Sequence, residues 1–304
     1  MTSFIKEYFN IHPEISLALK DGKPIVALES TVITHGLPFP ENLDLARSLE
    51  TEIRAAGCLP ATIAILDGRI CVGLEPNQLD QLAQGKDILK VSSRDIAFVV
   101  TSHKWGGTTV AGTLAIAQAV GIKVFATGGI GGVHRQAPFD ISADLQQLAR
   151  SQLVVVCAGA KAILDIPATL EVLETNGVPV IGYKTQDFPA FFSLSSGMSV
   201  GAQVETAHEV AELAKAHWKL GQQSAVLLAV PPPAEVAMER SAVEAFIDIA
   251  LGEAQQQGIH GQAVTPFLLS RVSELTSGAS LRANLGLLRN NAHVAAEVAQ
   301  FLYS

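Results

Sequence analysis

The chain has 304 residues, 48% of them hydrophobic and 16% charged, with a formal net charge of -8. This composition can fill a sizeable core and excludes disordered, collagen-like and coiled-coil chains, while net acidity, 6% aromatics and the lack of any basic run argue against a nucleic-acid platform. The longest apolar stretch, Leu153 to Ala160, falls well short of the roughly 20 residues a membrane helix needs.

The N-terminal residues (MTSFIKEYFNIHPEIS) lack the basic-then-apolar pattern of a secretory signal. Pro24 to Leu28 is a short apolar run predicted as a strand, ending in the polar stretch Glu29-Ser-Thr-Val-Ile-Thr-His35-Gly36. Glu41 to Ala56 carries Leu45, Leu49 and Ile53 at a spacing of four and stops at Gly57, which predicts an amphipathic helix. Ala61 to Leu66, Asp67-Gly68 and Arg69 to Gly73 predict a hairpin, because Asp-Gly supplies the positive φ of a type I′ turn.

Further strands are predicted at Ile122–Ala126, Leu153–Cys157, Val178–Tyr183 and Ala225–Val230. All are short and apolar on both faces, as strands covered from both sides are. Helices are predicted at Thr109–Val120, Lys161–Thr175, Ala202–Leu220, Ala234–Gln257 and Ser280–Tyr303, with Pro231-Pro-Pro233 turning a strand into the next helix. The pattern implies an α/β protein, a three-layer α/β/α arrangement whose central sheet is mixed but largely parallel, with residues 1–304 as a single domain. Cys58, Cys71 and Cys157 are odd in number, widely spaced and set among apolar neighbours, which predicts thiols in a reducing, cytoplasmic compartment.

Four segments can carry chemistry. Lys161, in Leu153-Val-Val-Val-Cys-Ala-Gly-Ala-Lys161, follows a strand end, where open α/β sheets build their sites. Apolar surroundings lower an ammonium pKa and free an amine for attack on carbon; the alternative is a surface lysine opening a helix. In Val124-Phe-Ala-Thr-Gly-Gly-Ile-Gly-Gly-Val-His134-Arg135, backbone amides can converge on an anion with His134 or Arg135 adding charge, or the glycines merely form a turn. A dinucleotide fingerprint fails there, since His134 stands where a glycine is needed. Asp140 and Asp144 would share a helix face, and Asp140 is read either as an N-cap or as a ligand to a hydrated divalent cation. Glu29, at a strand end among hydroxyls, suits proton transfer or a plain polar contact. His103, Trp105, His208 and His217 show no ligand spacing.

Together the segments Ala27-Leu-Glu-Ser-Thr31 with His35-Gly36, Pro60-Ala-Thr-Ile-Ala64, Lys90-Val-Ser, Thr108-Thr-Val-Ala111, Ala126-Thr-Gly-Gly-Ile-Gly-Gly-Val-His134-Arg135, Asp140-Ile-Ser-Ala-Asp144, Cys157-Ala-Gly-Ala-Lys161 and Thr265-Pro-Phe-Leu-Leu269 resemble, in content and order, the pseudouridine-5′-phosphate glycosidase (indigoidine synthase A-like) family. The resemblance runs from about Ile15 to Leu302. It implies an enzyme that cleaves the C–C glycosidic bond of pseudouridine 5′-phosphate, reversibly, to uracil and ribose 5-phosphate. It also implies one divalent ion per subunit, typically Mn²⁺, and a homotrimer of α/β/α subunits. Carried onto this chain, the nucleophile falls on Lys161, the acid on Glu29 and the metal-binding residue on Asp140. Substrate contacts fall on Lys90, Val110, Ser142, Ala143 and Asp144, and on Asn284 in Ser280-Leu-Arg-Ala-Asn. Two segments depart from the family pattern: Ala229-Val230-Pro231 lacks the usual Asn before the proline, and Gln136-Ala-Pro138 is shorter than in some relatives.

On this reading a neutral lysine attacks the anomeric carbon, opens the ribose and leads to an iminium that serves C–C cleavage, with Glu29 moving protons and Lys90 orienting the base or stabilising charge. The phosphate is a handle, held by glycine amides or the helix start near Thr108 and Thr109. The competing readings are a Schiff-base phosphosugar aldolase using the same lysine and a non-catalytic nucleotide-binding module; a dehydrogenase ranks last. Partners beyond the small-molecule substrate, nucleic acid and membrane included, are not expected.

Overall fold

The strands predicted from apolar runs line up side by side in the computed structural model, which describes residues 7–135, 137–259 and 261–303. Met1–Lys6, part of the stretch read for a leader, and Gln136, in the shortened segment, lie outside the described residues. From edge to edge the main sheet runs Phe9–Ile11, Arg69–Val72, Leu59–Leu66, Ile25–Leu28, Val124–Ala126, Val154–Cys157, Val226–Ala229, Val180–Tyr183 and Ala202–Val204. Gly106–Thr108 pairs with Leu59–Leu66 and with Leu89–Val91, extending the sheet to eleven strands. From Leu59–Leu66 to Ala202–Val204 every neighbour is parallel. Antiparallel pairing is confined to the partners of Leu59–Leu66 that follow the Asp67-Gly68 turn and that start at Gly106. The sheet is therefore mixed and largely parallel, as predicted.

The central strands are solvent-excluded: Val154 to Cys157 and Val226 to Ala229 are all 0% exposed. Such strands need cover on both faces. The long helix Ala279–Leu302 packs on Val124–Ala126 and Val154–Cys157 together with helices Glu41–Ala55 and Ala207–Lys219. Val110–Val120 and Ala143–Leu148 pack on each other and the former on Ile25–Leu28. Among the described residues no helix is long and apolar enough to cross a membrane. All three cysteines are buried and free, and burial pushes the Cys157 thiol up to about 12 and Cys58 to about 11.

Three predicted helices begin later than expected, each for a capping reason. Lys161 opens no helix. That helix is Ile166–Thr175, where Asp165 accepts from Ala168 N at 3.0 Å and Pro167 stands in the first turn. Residues 202–204 form an edge strand, and the helix there starts at Ala207 behind a Thr206–Glu209 capping box. The last shift puts a helix start at Arg240 instead of Ala234, capped by the Glu239 carboxylate.

Candidate active site

Glu29, Thr127 and the Ala158–Lys161 turn follow the carboxyl ends of three adjacent parallel strands, Ile25–Leu28, Val124–Ala126 and Val154–Cys157. Turns leaving strand ends converge in a crevice at this edge of an open sheet. The crevice is a cavity of about 300 Å³, walled by Glu29, His35, Lys90, Thr109, Asp140, Ser142, Ala143, Asp144, Lys161 and Asn284 among others. Its far side comes from helix Val264–Leu275 through Thr265, Pro266 and Leu269. Of the residues picked out by sequence, Val110 stays out of the wall: its side chain is 1% exposed inside the first helical turn, and Thr109 takes its place.

The Lys161 turn is shaped by glycine. Gly159 has φ +81°, and a Cβ there would meet Pro189 O at 2.4 Å. Lys161 N then donates to Ile130 O at 3.1 Å and Leu164 N to Lys161 O at 3.0 Å. Lys161 thus leaves a buried strand as expected, but from a turn and not from a helix.

Asp140 and Asp144 do not share a helix face, and Asp140 is no N-cap. Asp140 lies on strand Ala137–Ile141, which pairs with Val133–His134, which in turn pairs with Leu164–Asp165. Ser142 is the N-cap of helix Ala143–Leu148, accepting from Asp144 N at 3.2 Å. An edge strand interposed between glycines and helix is what Pro138 and the β-branched Val133 and Ile141 favour, and it rules out the dinucleotide turn. The buried Asp144 carboxylate accepts from Ala111 N and Gly131 N, both at 2.8 Å. A Cβ at Gly131 would meet Ser142 Oγ at 2.3 Å, so the glycine permits this approach. Asp144 therefore staples the glycine turn to the helix that starts at Val110. Asp144→Ala should cost about 3 kcal/mol by leaving two buried amides without an acceptor, read as a lower denaturant midpoint; an unchanged midpoint would show that the staple carries no load.

Within the cavity the amines of Lys90 and Lys161 interact with the carboxylates of Glu29 and Asp144. Burial pushes the Glu29 carboxyl above the usual range, with Asp144 adding to the shift; Lys161, the Thr127 hydroxyl and Lys90 oppose it. Thr127 Oγ1 donates to Glu29 Oε1 in a short hydrogen bond. Lys90 is held below the ordinary lysine range by burial first and by Lys161 second, with Asp144 and Glu29 opposing. His35, delivered by the π-helical turn Val32–Gly36, is also lowered, chiefly by burial and then by Lys90, and its Nδ1 lies 2.7 Å from Thr34 Oγ1. Thr127 and Ser92 are not among the residues singled out by sequence, although each directly follows a strand, Val124–Ala126 and Leu89–Val91, and Ser92 caps the short 3₁₀ turn Ser93–Asp95. Arg135 is not an anion donor, since its guanidinium is engaged by Glu244 at 2.6 Å and by backbone carbonyls. Gly131 N is likewise committed, to Asp144.

Fold and cavity define an α/β/α protein with a lysine and a carboxylate brought together at the carboxyl edge of its sheet. The chain belongs to the family described as indigoidine synthase A like protein, whose model matches residues 14–301. It is 51% identical to a pseudouridine-5′-phosphate glycosidase of Solibacter usitatus, over 97% of this chain and 99% of that one. With the Herpetosiphon aurantiacus protein of the same name the identity is 53%, over 96% and 97%. Among solved structures, the prealnumycin C-glycosynthase AlnA in complex with ribulose 5-phosphate superposes with a TM-score of 0.90 at 39% identity, covering 98% of this chain and 97% of that one.

Proposed function

We propose that the protein is a pseudouridine-5′-phosphate glycosidase, an enzyme that cleaves the bond between C1′ of ribose 5-phosphate and C5 of uracil. The observation that carries this reading is the meeting of Lys161, Glu29 and Lys90 in one cavity of a chain about half identical, nearly end to end, to relatives of that name. A similar fold that holds a five-carbon phosphosugar in a C-glycosynthase supports the sugar half of the substrate.

Carbon C5 of uracil leaves poorly unless it is protonated. In the proposed sequence the Lys161 amine attacks C1′ and loses a proton as the C1′–O4′ bond breaks, with the ring oxygen taking a proton. Glu29, whose burial keeps its proton to higher pH than usual, then protonates C5. The nitrogen lone pair moves into a C1′=N bond as the C1′–C5 bond breaks, so uracil departs and an iminium remains on Lys161. Water hydrolyses the iminium to ribose 5-phosphate and returns the amine. Every step is reversible. Lys90, on the same cavity wall, would hold the charge that builds on the uracil ring. Ser142, Ala143, Thr109, the Val110 amide and Asn284 serve substrate binding, and remote binding of the phosphate steadies the reacting carbon.

A divalent cation belongs to this reading. Among the described residues no three His, Cys, Asp or Glu side chains gather as a ligand set, and Asp140 is a single exposed carboxylate on the cavity wall. That donor set fits one hydrated ion such as Mn²⁺. When bound, the ion would supply positive charge for the substrate phosphate. Asp140→Ala is expected to lose at least ~10-fold in activity and its response to added Mn²⁺; undiminished metal dependence would remove Asp140 as the anchor.

Residues 1–304 are taken as one catalytic domain because one sheet spans Phe9 to Val226 and beyond. A cytoplasmic homotrimer fits the three buried free thiols and a hairpin whose Phe139 is 97% exposed beside Asp140; sedimentation measures the assembly. The direct test is incubation with pseudouridine 5′-phosphate and Mn²⁺, followed by detection of free uracil. Turnover of phosphosugar aldol substrates without uracil release would favour the aldolase.

A further inference from the structure

Arg135 follows strand Val133–His134 and keeps only 21% of its side chain exposed. Its guanidinium faces two ways. Toward the Lys161 turn, Nε donates to Leu164 O at 3.2 Å and Nη2 to Ala162 O at 2.9 Å. Toward helix Arg240–Gln256, Nη1 and Nη2 donate to the two Glu244 oxygens at 2.6 and 3.1 Å, with Asp248 3.9 Å from Nη1. These partners use the planar fork of an arginine, which a lysine ammonium has no geometry to reproduce.

The turn needs such a fastening. Residues 161–163 belong to no helix or strand, and Lys161 itself is tied by its own amide to Ile130 and by its carbonyl to Leu164. Both carbonyls taken by Arg135 lie just after the lysine, so they set the path of the backbone as it leaves Lys161. Glu244 carries the fastening further, because its helix packs on Val264–Leu275, which walls the cavity. We infer that Arg135 is a positioning residue for Lys161: its fork on Ala162 O, Leu164 O and Glu244 fixes the amine at reacting distance and ties that placement to the helix pair over the cavity. This rests on Lys161 being the group that reacts.

The experiment compares Arg135→Gln, Arg135→Lys and Glu244→Gln in the full-length protein. It measures kcat and KM on pseudouridine 5′-phosphate, borohydride trapping with ribose 5-phosphate, and amide hydrogen exchange over residues 159–165. A misplacement of ~1 Å lowers a rate by about 100-fold. Arg135→Gln should therefore lose about that factor in kcat with KM within threefold, together with faster exchange in the turn. Arg135→Lys, which keeps the charge, should fold like the parent and still fall at least tenfold in kcat. Glu244→Gln should lie between the parent and Arg135→Gln. The assignment fails if kcat stays within threefold in Arg135→Gln, if KM carries the loss, or if lysine restores kcat in full. Should Arg135→Gln not fold, the other two variants decide on the same criteria. A parent protein that gives no trapped lysine overturns the iminium chemistry instead, and kcat and exchange in the variants still decide whether Arg135 sets the turn.

Discussion

Replacing Lys161 by alanine is expected to abolish turnover, by at least ~10⁴-fold, in a protein that still folds. The fold should survive because the turn is held by main-chain bonds, Lys161 N to Ile130 O and Leu164 N to Lys161 O, which alanine keeps. Lys161→Arg is the sharper variant. It leaves a cation in the cavity beside Glu29 and Asp144, yet an arginine is never deprotonated in a protein and offers no free amine. A nucleophilic role therefore predicts that both variants are inactive. A purely electrostatic role predicts that arginine recovers most of the rate. Borohydride added with ribose 5-phosphate should attach the sugar to Lys161 in the parent and leave both variants unlabelled. An arginine variant within tenfold of the parent kcat would sink the iminium.

Much of this geometry was legible in the sequence, and the reasons differ from element to element. Val154–Cys157 and Val226–Ala229 could be placed because strands buried on both faces show unbroken apolar runs. The hairpin at Asp67-Gly68 was fixed by local chemistry, and both residues do adopt positive φ, 49° and 75°. Glu29 and Lys161 each stand at a predicted strand end, and the family resemblance is what assigns them to a common site although 132 positions separate them; turns leaving parallel strands gather at one edge, which is how the fold brings them together.

Apolar periodicity places three helix starts too early because caps set them: Asp165 with Pro167, Thr206 with Glu209, and Glu239 are all N-terminal signals in the sequence. The helix Pro13–Asp21 carries a signal of the same kind, a His12 cap followed by proline. What no local pattern could show is pairing at long range. Asp144 reaches Ala111 across 33 positions and Arg135 reaches Glu244 across 109. Each takes part in holding a loop, Asp144 from the cavity wall itself, and neither partner is announced by the residues around it. His35 was visible as a motif residue, but its delivery into the cavity depends on a π-helical turn that residue spacing does not announce.

Glu29→Gln should remove catalysis and add stability, an opposition that separates a proton donor from a structural carboxylate. Glutamine keeps an oxygen for the Thr127 hydroxyl but cannot deliver a proton to C5, so kcat should fall by ~10²–10⁴-fold. The parent rate should decline as pH rises through the raised Glu29 pKa, because the protonated form is the active one. Stability follows the same proton. The folded state holds it to higher pH than the unfolded chain does, so between the two pKa values the native state binds more protons and stability drops as pH rises. Below that window Glu29 is protonated in both states, and parent and variant should melt alike. Above the raised pKa the folded parent carries a carboxylate whose desolvation Lys161, Thr127 and Lys90 do not fully offset, whereas glutamine carries no charge to desolvate. The variant's Tm should therefore lie above the parent's at pH 7 and converge with it toward pH 4. A variant that melts lower at pH 7 while retaining the parent's kcat would make Glu29 a structural anchor and leave the proton to C5 without a source.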